Sequence, residues 1–340
     1  MKLALAHPER LAREAVRRSL DLQSEHELLW SVGDGENLER QLQRQPPALL
    51  LLAPTFCAAD AALVQRCVAR EVAVLLLTAD PALDAVYAAM GAGALGVLEP
   101  PHLESNGELV GAARLQQRLA RVASLIPAQH RSALAVAASA PALQAGPACR
   151  LLALGASTGG PLALAQVLGQ LPSALPAAVL IVQHIDAAFS GGLAEWLSGQ
   201  CALPVRIAEA GDWPLAGQVY VGGPRGHLIM QSSGRLAYRA PLPGDLHVPS
   251  VDVLFESLAR HARAGAAALL TGMGCDGAEG LALLRQAGWH TVAQDEASSA
   301  VYGMPRAAVE RQAACSVLPL AQIGAHLART IHDKAQRRSE

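Results

Sequence analysis

The feature that most constrains the fold is a repeated alternation of short apolar runs with longer amphipathic stretches, found in both halves of the chain. Short apolar runs are typical of buried strands and amphipathic stretches of helices, so the pattern predicts parallel α/β structure. The alternation stops over residues 124–149, which are rich in Ala, Ser, Pro and Gly. We therefore predict two doubly wound domains, residues 1–123 and 150–335, joined by a linker at residues 124–149.

The N-terminal half has the element count of a flavodoxin-like domain. We predict strands at Leu3–Ala6, Glu27–Trp30, Ala48–Ala53, Val72–Leu77 and Ala94–Leu98, and helices at Glu9–Leu20, Glu36–Arg44, Ala59–Arg70, Pro81–Ala92 and Glu108–Arg121. The predicted strands are short and almost wholly apolar. Such runs suit a parallel sheet that is covered on both faces.

The C-terminal half repeats the same rhythm. We predict strands at Leu151–Leu154, Ala178–Val182, Val205–Ala208, Ala267–Leu270, Thr291–Ala293 and Ser316–Val317, and helices at Pro161–Leu171, Ser190–Ser198, Val251–His261, Ala278–Ala287, Pro305–Arg311 and Leu320–His332. Between Val219 and Tyr238 the runs become short and are separated by Gly, Pro and Ser. This change predicts an antiparallel hairpin that is added to the sheet.

Composition excludes several classes of protein. Hydrophobic residues make up 51% of the chain and charged residues 16%, with a net charge of −2, so the chain is not disordered. The absence of Lys or Arg blocks predicts that neither nucleic acid nor a membrane surface is a partner. The first apolar run ends at His7, too early for a signal-peptide core, so we expect a cytoplasmic protein. The six cysteines form no Cys-x-x-Cys pair, and we predict neither a metal site nor an organic cofactor.

Ser157 is the first candidate for a catalytic residue. It follows a predicted strand in the segment GASTGGP, which matches Gly-x-Ser-x-Gly and leads directly into a predicted helix. The glycines allow a substrate to approach closely, and the N–H groups at the start of the helix could stabilise an oxyanion. The same position would also suit Ser157 or Thr158 as a plain helix cap, and the local pattern leaves both interpretations open.

A serine nucleophile needs a base, and His184 follows the strand Ala178–Val182 directly. In open α/β sheets, ligands bind at the carboxyl ends of the strands, which is where this histidine is expected. A histidine at a strand end is also commonly a structural hydrogen-bonding residue. His227, His247 and His290 lie at plausible positions as well and remain competitors.

Asp276 is the candidate for the third member of a Ser-His-Asp triad, because it follows the strand Ala267–Leu270 and a glycine-rich turn. Its alternative role is to cap the helix at Ala278–Ala287, with Glu279 three residues further on. The order Ser157, His184, Asp276 differs from the serine, acid, histidine order of α/β-hydrolases and disfavours that fold family.

Six segments of the C-terminal half resemble, in order, the catalytic domain of the chemotaxis protein-glutamate methylesterases, the CheB family. They are LGASTGGP, the QH of VQHIDAAF, GHLIM, VPSVDVLFESLARH, LLTGMGCDGAEG and AQDEASSAVYGMPRAA. The resemblance covers about residues 150–330 and implies a Rossmann-like methylesterase domain. Val248 stands where the family has Arg, a difference that bears on substrate docking.

The resemblance implies a serine hydrolase that removes methyl groups from glutamate methyl esters of chemoreceptor cytoplasmic domains and, in some members, deamidates receptor glutamines. It assigns Ser157 as the nucleophile, His184 as the general base and Asp276 as the group that orients it. Thr158 and the backbone of Met273 would support the oxyanion. Other chemotaxis signalling proteins are left open as partners. The alternatives are a non-catalytic receptor-binding regulator and an esterase of small molecules.

The N-terminal half resembles a response-regulator receiver in element order, but residues that phosphoryl transfer requires are missing. A receiver needs an acceptor Asp after the third strand, an acidic pair after the first strand for Mg²⁺, and a Lys near the fifth. Those places hold Ala53, His7 with Pro8, and Pro100, and only Thr78 after the fourth strand matches. Asp60 and Glu9 fall in predicted helices. We therefore predict a pseudo-receiver without a phosphorylation site.

Overall fold

The structure is a computed structural model that describes residues 1–21, 26–80, 84–104, 108–123 and 150–336. The chain divides into two compact units, residues 1–130 and 131–340. The predicted linker at residues 124–149 lies outside the described residues, as does the predicted helix start at Pro81.

The described part of the first unit is built on a five-stranded parallel sheet with the strand order β2-β1-β3-β4-β5. This is the flavodoxin-like order, so the predicted fold class is confirmed. The central strands are fully buried leucine-rich runs, which is why they lack a polar face. The five strands are β1 (Lys2–Ala6), β2 (Glu27–Val32), β3 (Leu49–Leu52), β4 (Ala73–Leu77) and β5 (Val97–Leu98).

Helices cover both faces of this sheet, and two of them differ from the prediction. The expected helix over Ala59–Arg70 begins only at Leu63, and it is preceded by a short helix, Pro54–Ala59, that was not predicted. The two helices are separate because the backbone of Asp60 is extended. The expected helix at Glu108–Arg121 starts later, after a short strand. The elements are α1 (Arg10–Asp21), α2 (Gly35–Arg44), α3 (Pro54–Ala59), α4 (Leu63–Ala69), α5 (Asp84–Gly91), the paired strands β6 (His102–Leu103) and β7 (Leu109–Val110), and α6 (Ala112–Ala123).

The described part of the second unit contains a seven-stranded parallel sheet with the order β10-β11-β9-β8-β14-β15-β16. The two longest strands, β8 and β9, lie side by side near its centre. The seven strands are β8 (Arg150–Ala156), β9 (Ala177–Gln183), β10 (Val205–Ile207), β11 (Val219–Val221), β14 (Ala266–Leu269), β15 (His290–Gln294) and β16 (Ser316–Leu318).

The helices of the second unit agree with the prediction to within a few residues at each end. They bury apolar side chains such as Phe255, Leu258 and Leu281 against the sheet, where those side chains form part of one hydrophobic core. The helices are α7 (Gly160–Gly169), a 3-10 turn at Ala187–Phe189, α8 (Ser190–Ser198), α9 (Val251–His261), α10 (Ala278–Gln286), α11 (Met304–Glu310) and α12 (Leu320–Gln336).

The predicted hairpin is present, but it does not extend the large sheet. Strands β12 (His227–Met230) and β13 (Leu236–Arg239) pair antiparallel with each other and form a separate two-stranded sheet. The start of the predicted hairpin region, Val219–Val221, is instead the parallel strand β11 beside β9. All three of its residues are buried, so it has no polar face to place on a hairpin surface.

None of the described helices combines the length and the apolar composition needed to cross a membrane.

Candidate active site

The candidate site lies at the carboxyl edge of the large sheet, where three neighbouring parallel strands end. Ser157 follows β8, His184 follows β9, and Asp276 lies in the loop after β14. Ala156 pairs with Gln183 across β8 and β9, so the next residue of each strand, Ser157 and His184, leaves the sheet beside the other. Parallel pairing therefore brings together residues that are far apart in the sequence.

Ser157 lies on a buried turn that is fixed by its backbone. Its N–H donates to the Thr271 carbonyl at 3.0 Å, and the Gln183 side-chain Nε2 donates to its carbonyl at 2.7 Å. A Cβ at Gly272 would stand 2.8 Å from the Ser157 Cβ, so the turn after β14 can approach the serine only because residue 272 is glycine.

Neither Ser157 nor Thr158 caps the following helix. The N-cap of α7 is Gly159, with a positive φ of 75° and without a side-chain cap hydrogen bond. A side chain at this position would be strained, which explains the glycine. The capping interpretation of the GASTGGP segment is therefore wrong for this chain, and the Ser157 hydroxyl is left available for chemistry.

His184 is held from two sides. Its Nε2 lies 2.6 Å from Oδ2 of Asp276, and its ring stacks on that of His247 with a centroid distance of 4.4 Å and an interplanar angle of 4°. The other ring nitrogen, Nδ1, is buried and has no hydrogen-bond partner among the described residues. Because an ionised carboxylate only accepts, the hydrogen bond to Asp276 puts the proton on Nε2 and leaves a lone pair on Nδ1.

Asp276 is buried and surrounded by donors. Its carboxylate accepts hydrogen bonds from the Ser250 hydroxyl at 2.8 Å and from the N–H groups of Val251 at 2.7 Å and Asp252 at 3.1 Å, besides His184. Burial alone would raise the pKa of Asp276, but His184 and these donors outweigh it and hold that pKa below its usual range. Asp276 is therefore the ionised partner of the histidine.

Asp276 does cap a helix, but not the predicted one. The N-cap of α10 is Gly277, which makes no side-chain cap hydrogen bond. The carboxylate of Asp276 instead binds the first N–H groups of α9, whose N-cap is Ser250. The capping alternative for α10 is therefore wrong, because the chain folds Asp276 back onto a helix that precedes it in sequence.

A second carboxyl lies beside Asp276. Asp252, in the first turn of α9, accepts a hydrogen bond from the Gly280 N–H of α10 at 2.7 Å. Burial and the nearby charge of Asp276 raise the pKa of Asp252 to about 7. Two adjacent carboxyls thus have opposite shifts, as expected where like charges share a buried site.

The two residues that the sequence assigned to oxyanion support lie near Ser157. Thr158 is buried, and its hydroxyl has no hydrogen-bond partner among the described residues. Met273 is half-buried and directly follows Gly272, whose backbone abuts Ser157. An unpaired buried hydroxyl is uncommon, and in a cleft such a group is available to a ligand.

The competing histidines lie elsewhere or have other partners. His227 is fully buried, with Nε2 2.8 Å from Oδ2 of Asp245 and Nδ1 accepting from the Ser250 N–H at 3.1 Å. His290 begins β15 at the opposite edge of the sheet and contacts His326, with 2.7 Å between their Nε2 atoms. His247 stacks on His184. Only His184 combines a strand-end position beside Ser157 with a bond to Asp276.

Sequence reasoning missed three supporting residues. Gln183 binds the Ser157 carbonyl, Ser250 binds Asp276, and the Thr271 hydroxyl donates to the Thr158 carbonyl at 3.0 Å. Each stands next to a predicted site residue or within one of the six motifs, and this position in the sequence could have marked it as a supporting residue. Their contacts depend on which loops meet at the sheet edge.

In the first unit, three of the four strand ends considered carry the residues that the sequence predicted. Ala53 follows β3, His7 follows β1 and Thr78 follows β4, and all three are buried. Glu99, rather than Pro100, directly follows β5. Asp60 lies between α3 and α4, bound to Arg66, so its expected placement within a helix is wrong.

The expected placement of Glu9 within a helix is also wrong, because Glu9 stands just before α1. Its backbone N–H donates to Nδ1 of His7 at 3.2 Å. Neither Asp60 nor Glu9 follows a strand directly.

Comparison with known proteins shows the family of the chain. The family model described as CheB methylesterase matches residues 152–327. A protein-glutamate methylesterase/protein-glutamine glutaminase of Cupriavidus metallidurans is 42% identical over 336 residues, covering 97% of this chain and 98% of the relative. The chain belongs to the CheB methylesterase family.

Other members agree in length and fold. A protein-glutamate methylesterase/protein-glutamine glutaminase from Pseudomonas putida is 40% identical over 332 residues, covering 96% of this chain and 98% of the relative. The crystal structure of the Thermotoga maritima CheB methylesterase catalytic domain is 30% identical, with a TM-score of 0.51, and covers 54% of this chain and 99% of that domain. The CheB resemblance read from six short motifs is thereby confirmed.

Proposed function

We propose that the protein is a protein-glutamate methylesterase that acts on the cytoplasmic domains of methylated chemoreceptors in the cytoplasm, and that it also deamidates receptor glutamines. The observation that carries the proposal is the arrangement of His184. One ring nitrogen is bound to the ionised Asp276 at 2.6 Å, and the other is buried without a hydrogen-bond partner among the described residues. The backbone of His184 leaves the sheet beside that of Ser157. This is the arrangement that a serine nucleophile needs.

In the proposed reaction, Nδ1 of His184 takes the proton of the Ser157 hydroxyl while Oγ attacks the carbonyl carbon of the glutamyl methyl ester. Asp276 keeps Nε2 protonated and stabilises the positive charge that forms on the ring. The His184 proton then passes to the leaving methoxide, and methanol departs. With a glutamine substrate, ammonia departs instead.

The second half of the reaction releases the receptor. A water molecule, deprotonated by Nδ1 of His184, attacks the carbonyl carbon of the ester that links the substrate to Ser157. The bond between that carbon and Oγ breaks, the His184 proton returns to Oγ, and a glutamate side chain is released. Both half-reactions pass through an oxyanion. The Thr158 hydroxyl is next to Ser157 in the chain, the backbone at Met273 follows Gly272, which abuts Ser157, and we propose that both stabilise this oxyanion. The proton transfers use only side chains of this chain and water.

We also propose the domain division of residues 1–123, a linker at residues 124–149 and a catalytic domain at residues 150–335. The N-terminal domain is then a pseudo-receiver, since the residue after β3 is Ala53 and no carboxyl can accept a phosphoryl group there. His7 and Pro8 follow β1, where a receiver would hold Mg²⁺ with carboxylates. The enzyme would then be either constitutively active or regulated by a protein partner, for which other chemotaxis signalling proteins are candidates.

Labelling with a fluorophosphonate tests the nucleophile. The reagent phosphonylates an activated serine, and we expect mass spectrometry to find the label on the peptide that contains Ser157. His184→Ala should abolish the labelling, whereas Ser232→Ala, in the turn of the hairpin, should not affect it. A label on another serine, or equal labelling of the His184→Ala protein, would contradict the proposed triad.

A further inference from the structure

The loop that joins the hairpin to α9 forms an apolar edge beside the candidate catalytic histidine. We call residues 240–248 the apolar lip. Its exposed members are all uncharged: Ala240, Pro241, Leu242, Pro243, Gly244, Leu246 and Val248. Leu242, Leu246 and Val248 are 59%, 79% and 43% exposed. Exposed aliphatic side chains that cluster on one loop mark an interaction site more often than single exposed ones do.

The only charged residue of the lip is turned inward. Oδ2 of Asp245 accepts hydrogen bonds from Nε2 of the fully buried His227 at 2.8 Å and from the Leu242 N–H at 2.8 Å, and it lies 3.7 Å from Arg239. His227 in turn accepts the Ser250 N–H. The loop is therefore anchored at Asp245, near the middle of the lip, and at Ser250, just beyond it, while Leu242 and Leu246 are exposed.

The lip is continuous with the reacting groups. His247, between Leu246 and Val248, stacks on the ring of His184 at 4.4 Å. Consecutive Cα atoms are about 3.8 Å apart, so the Cα atoms of Leu246 and Val248 each lie about that distance from the Cα atom of His247. A protein substrate whose ester reaches Ser157 has to lie close to this edge.

We propose that the apolar lip is a specificity element that binds an aliphatic side chain of the substrate protein next to the reacting glutamyl residue. This inference rests on the proposed methylesterase function and specifies the sequence context that the enzyme selects. An acidic or basic neighbour would lose its hydration against Leu242, Leu246 and Val248, while the nearest charges, Arg239 and Asp245, already lie 3.7 Å from each other. An aliphatic neighbour would bury apolar surface. The lip would thus distinguish a receptor from a small ester, because a small ester has no neighbouring side chain for it to bind.

The test compares two substrates for the full-length protein, methylated receptor membranes and p-nitrophenyl acetate. We expect the double variant Leu242→Ser/Leu246→Ser to lower the ratio of receptor kcat/KM to small-ester kcat/KM by about tenfold, mainly through a higher receptor KM. The single variant Leu246→Ser should lower the same ratio less than the double variant does, and Leu246→Met, which keeps an apolar side chain, should keep the ratio close to the wild-type value. The matched control is Leu215→Ser, because Leu215 is 61% exposed in the same unit but lies outside the lip.

Three results would overturn the inference while leaving the proposed function intact. The first is a ratio that stays at the wild-type value. The second is a parallel fall of both activities, which would mean that the lip only supports His184. The third is a rise in receptor turnover, which would mean that another segment of this chain covers the lip. A wild-type protein that turns over neither substrate would overturn the proposed function itself, and this result would appear before any variant is compared.

Discussion

Asp252 and Asp276 cap each other's helices. Asp276, which stands just before α10, accepts the first N–H groups of α9, while Asp252, in the first turn of α9, accepts the Gly280 N–H of α10 at 2.7 Å. Two helix N-termini thus stabilise two neighbouring carboxyl groups. The exchange fixes the position of the acid that holds His184.

The first prediction concerns stability and Asp252. Its pKa is raised to about 7, so the folded protein holds a proton that the unfolded chain releases above about pH 4. The favourable contribution of this group is therefore complete at low pH and is lost as pH rises through 7. Asp252→Asn stays neutral and keeps an acceptor for Gly280. Its Tm should exceed that of the wild type by a few degrees at about pH 8, with a smaller difference at about pH 5.

Thermal unfolding monitored by circular dichroism across this pH range measures the difference. Glu279→Gln, an exposed substitution on the neighbouring helix, is the matched control and should show no such trend. A variant whose Tm difference from the wild type is the same at all pH values would show that Asp252 does not carry the proton.

The second prediction concerns Asp276. The hydrogen bonds that the described residues make to its carboxylate come from donors, so the amide of Asp276→Asn would place an N–H against one of them. We expect turnover of p-nitrophenyl acetate to fall on the order of a thousandfold, because the imidazolium loses its partner, and Tm to fall as well. The depressed pKa of Asp276 stabilises the fold above the ordinary aspartate range, and this stabilisation is lost as pH falls through the folded-state pKa. Wild-type turnover in this variant would remove Asp276 from the mechanism.

The third prediction separates a catalytic from a structural role for Thr158. Its buried hydroxyl has no partner among the described residues, so Thr158→Val removes an unpaired polar group and keeps the side-chain volume. The variant should be at least as stable as the wild type, whereas kcat should fall by about tenfold or more if the hydroxyl supports the oxyanion. Steady-state kinetics and Tm measured on the same preparation decide the matter. An unchanged kcat would exclude Thr158 from the site.

The fourth prediction concerns regulation. Acetyl phosphate with Mg²⁺ should neither add a phosphoryl group to the full-length protein, as measured by intact mass, nor change its rate of methanol release. Ala53→Asp should not restore phosphorylation, because His7 and Pro8 stand where carboxylates would hold the metal ion. A phosphorylated wild-type protein, with the modification lost in Asp60→Asn or Glu9→Gln, would show that the first unit is a working receiver.

Much of the fold follows from the sequence because parallel strands buried on both faces are short apolar runs, such as Leu49–Leu52, that stand out from their surroundings. Val219–Val221 was assigned to the hairpin because a three-residue run carries no sign of which strand it will join. The break at Asp60 depends on backbone angles that a helical pattern does not reveal. Local pattern therefore predicts elements better than their pairing.

The candidate triad could be predicted because each member follows a strand and the six motifs are specific. The helix-capping role of Asp276 could not, because its donors lie in α9, about 25 residues before it in the sequence, and are brought to it only by tertiary packing. The pairing of the fully buried His227 with Asp245 was missed for the same reason. Nothing near His227 in the sequence indicates that its partner is the single acid of an otherwise apolar loop.

Release of methanol from methylated chemoreceptor membranes is the most direct test of the account. The full-length protein should release methanol catalytically, and Ser157→Ala should abolish the release while keeping the wild-type Tm, since the alanine retains the Cβ that packs beside Gly272. Ser232→Ala should release methanol at the wild-type rate. Methanol release by the Ser157→Ala protein at a rate near that of the wild type would contradict the central claim that Ser157 is the nucleophile of a methylesterase.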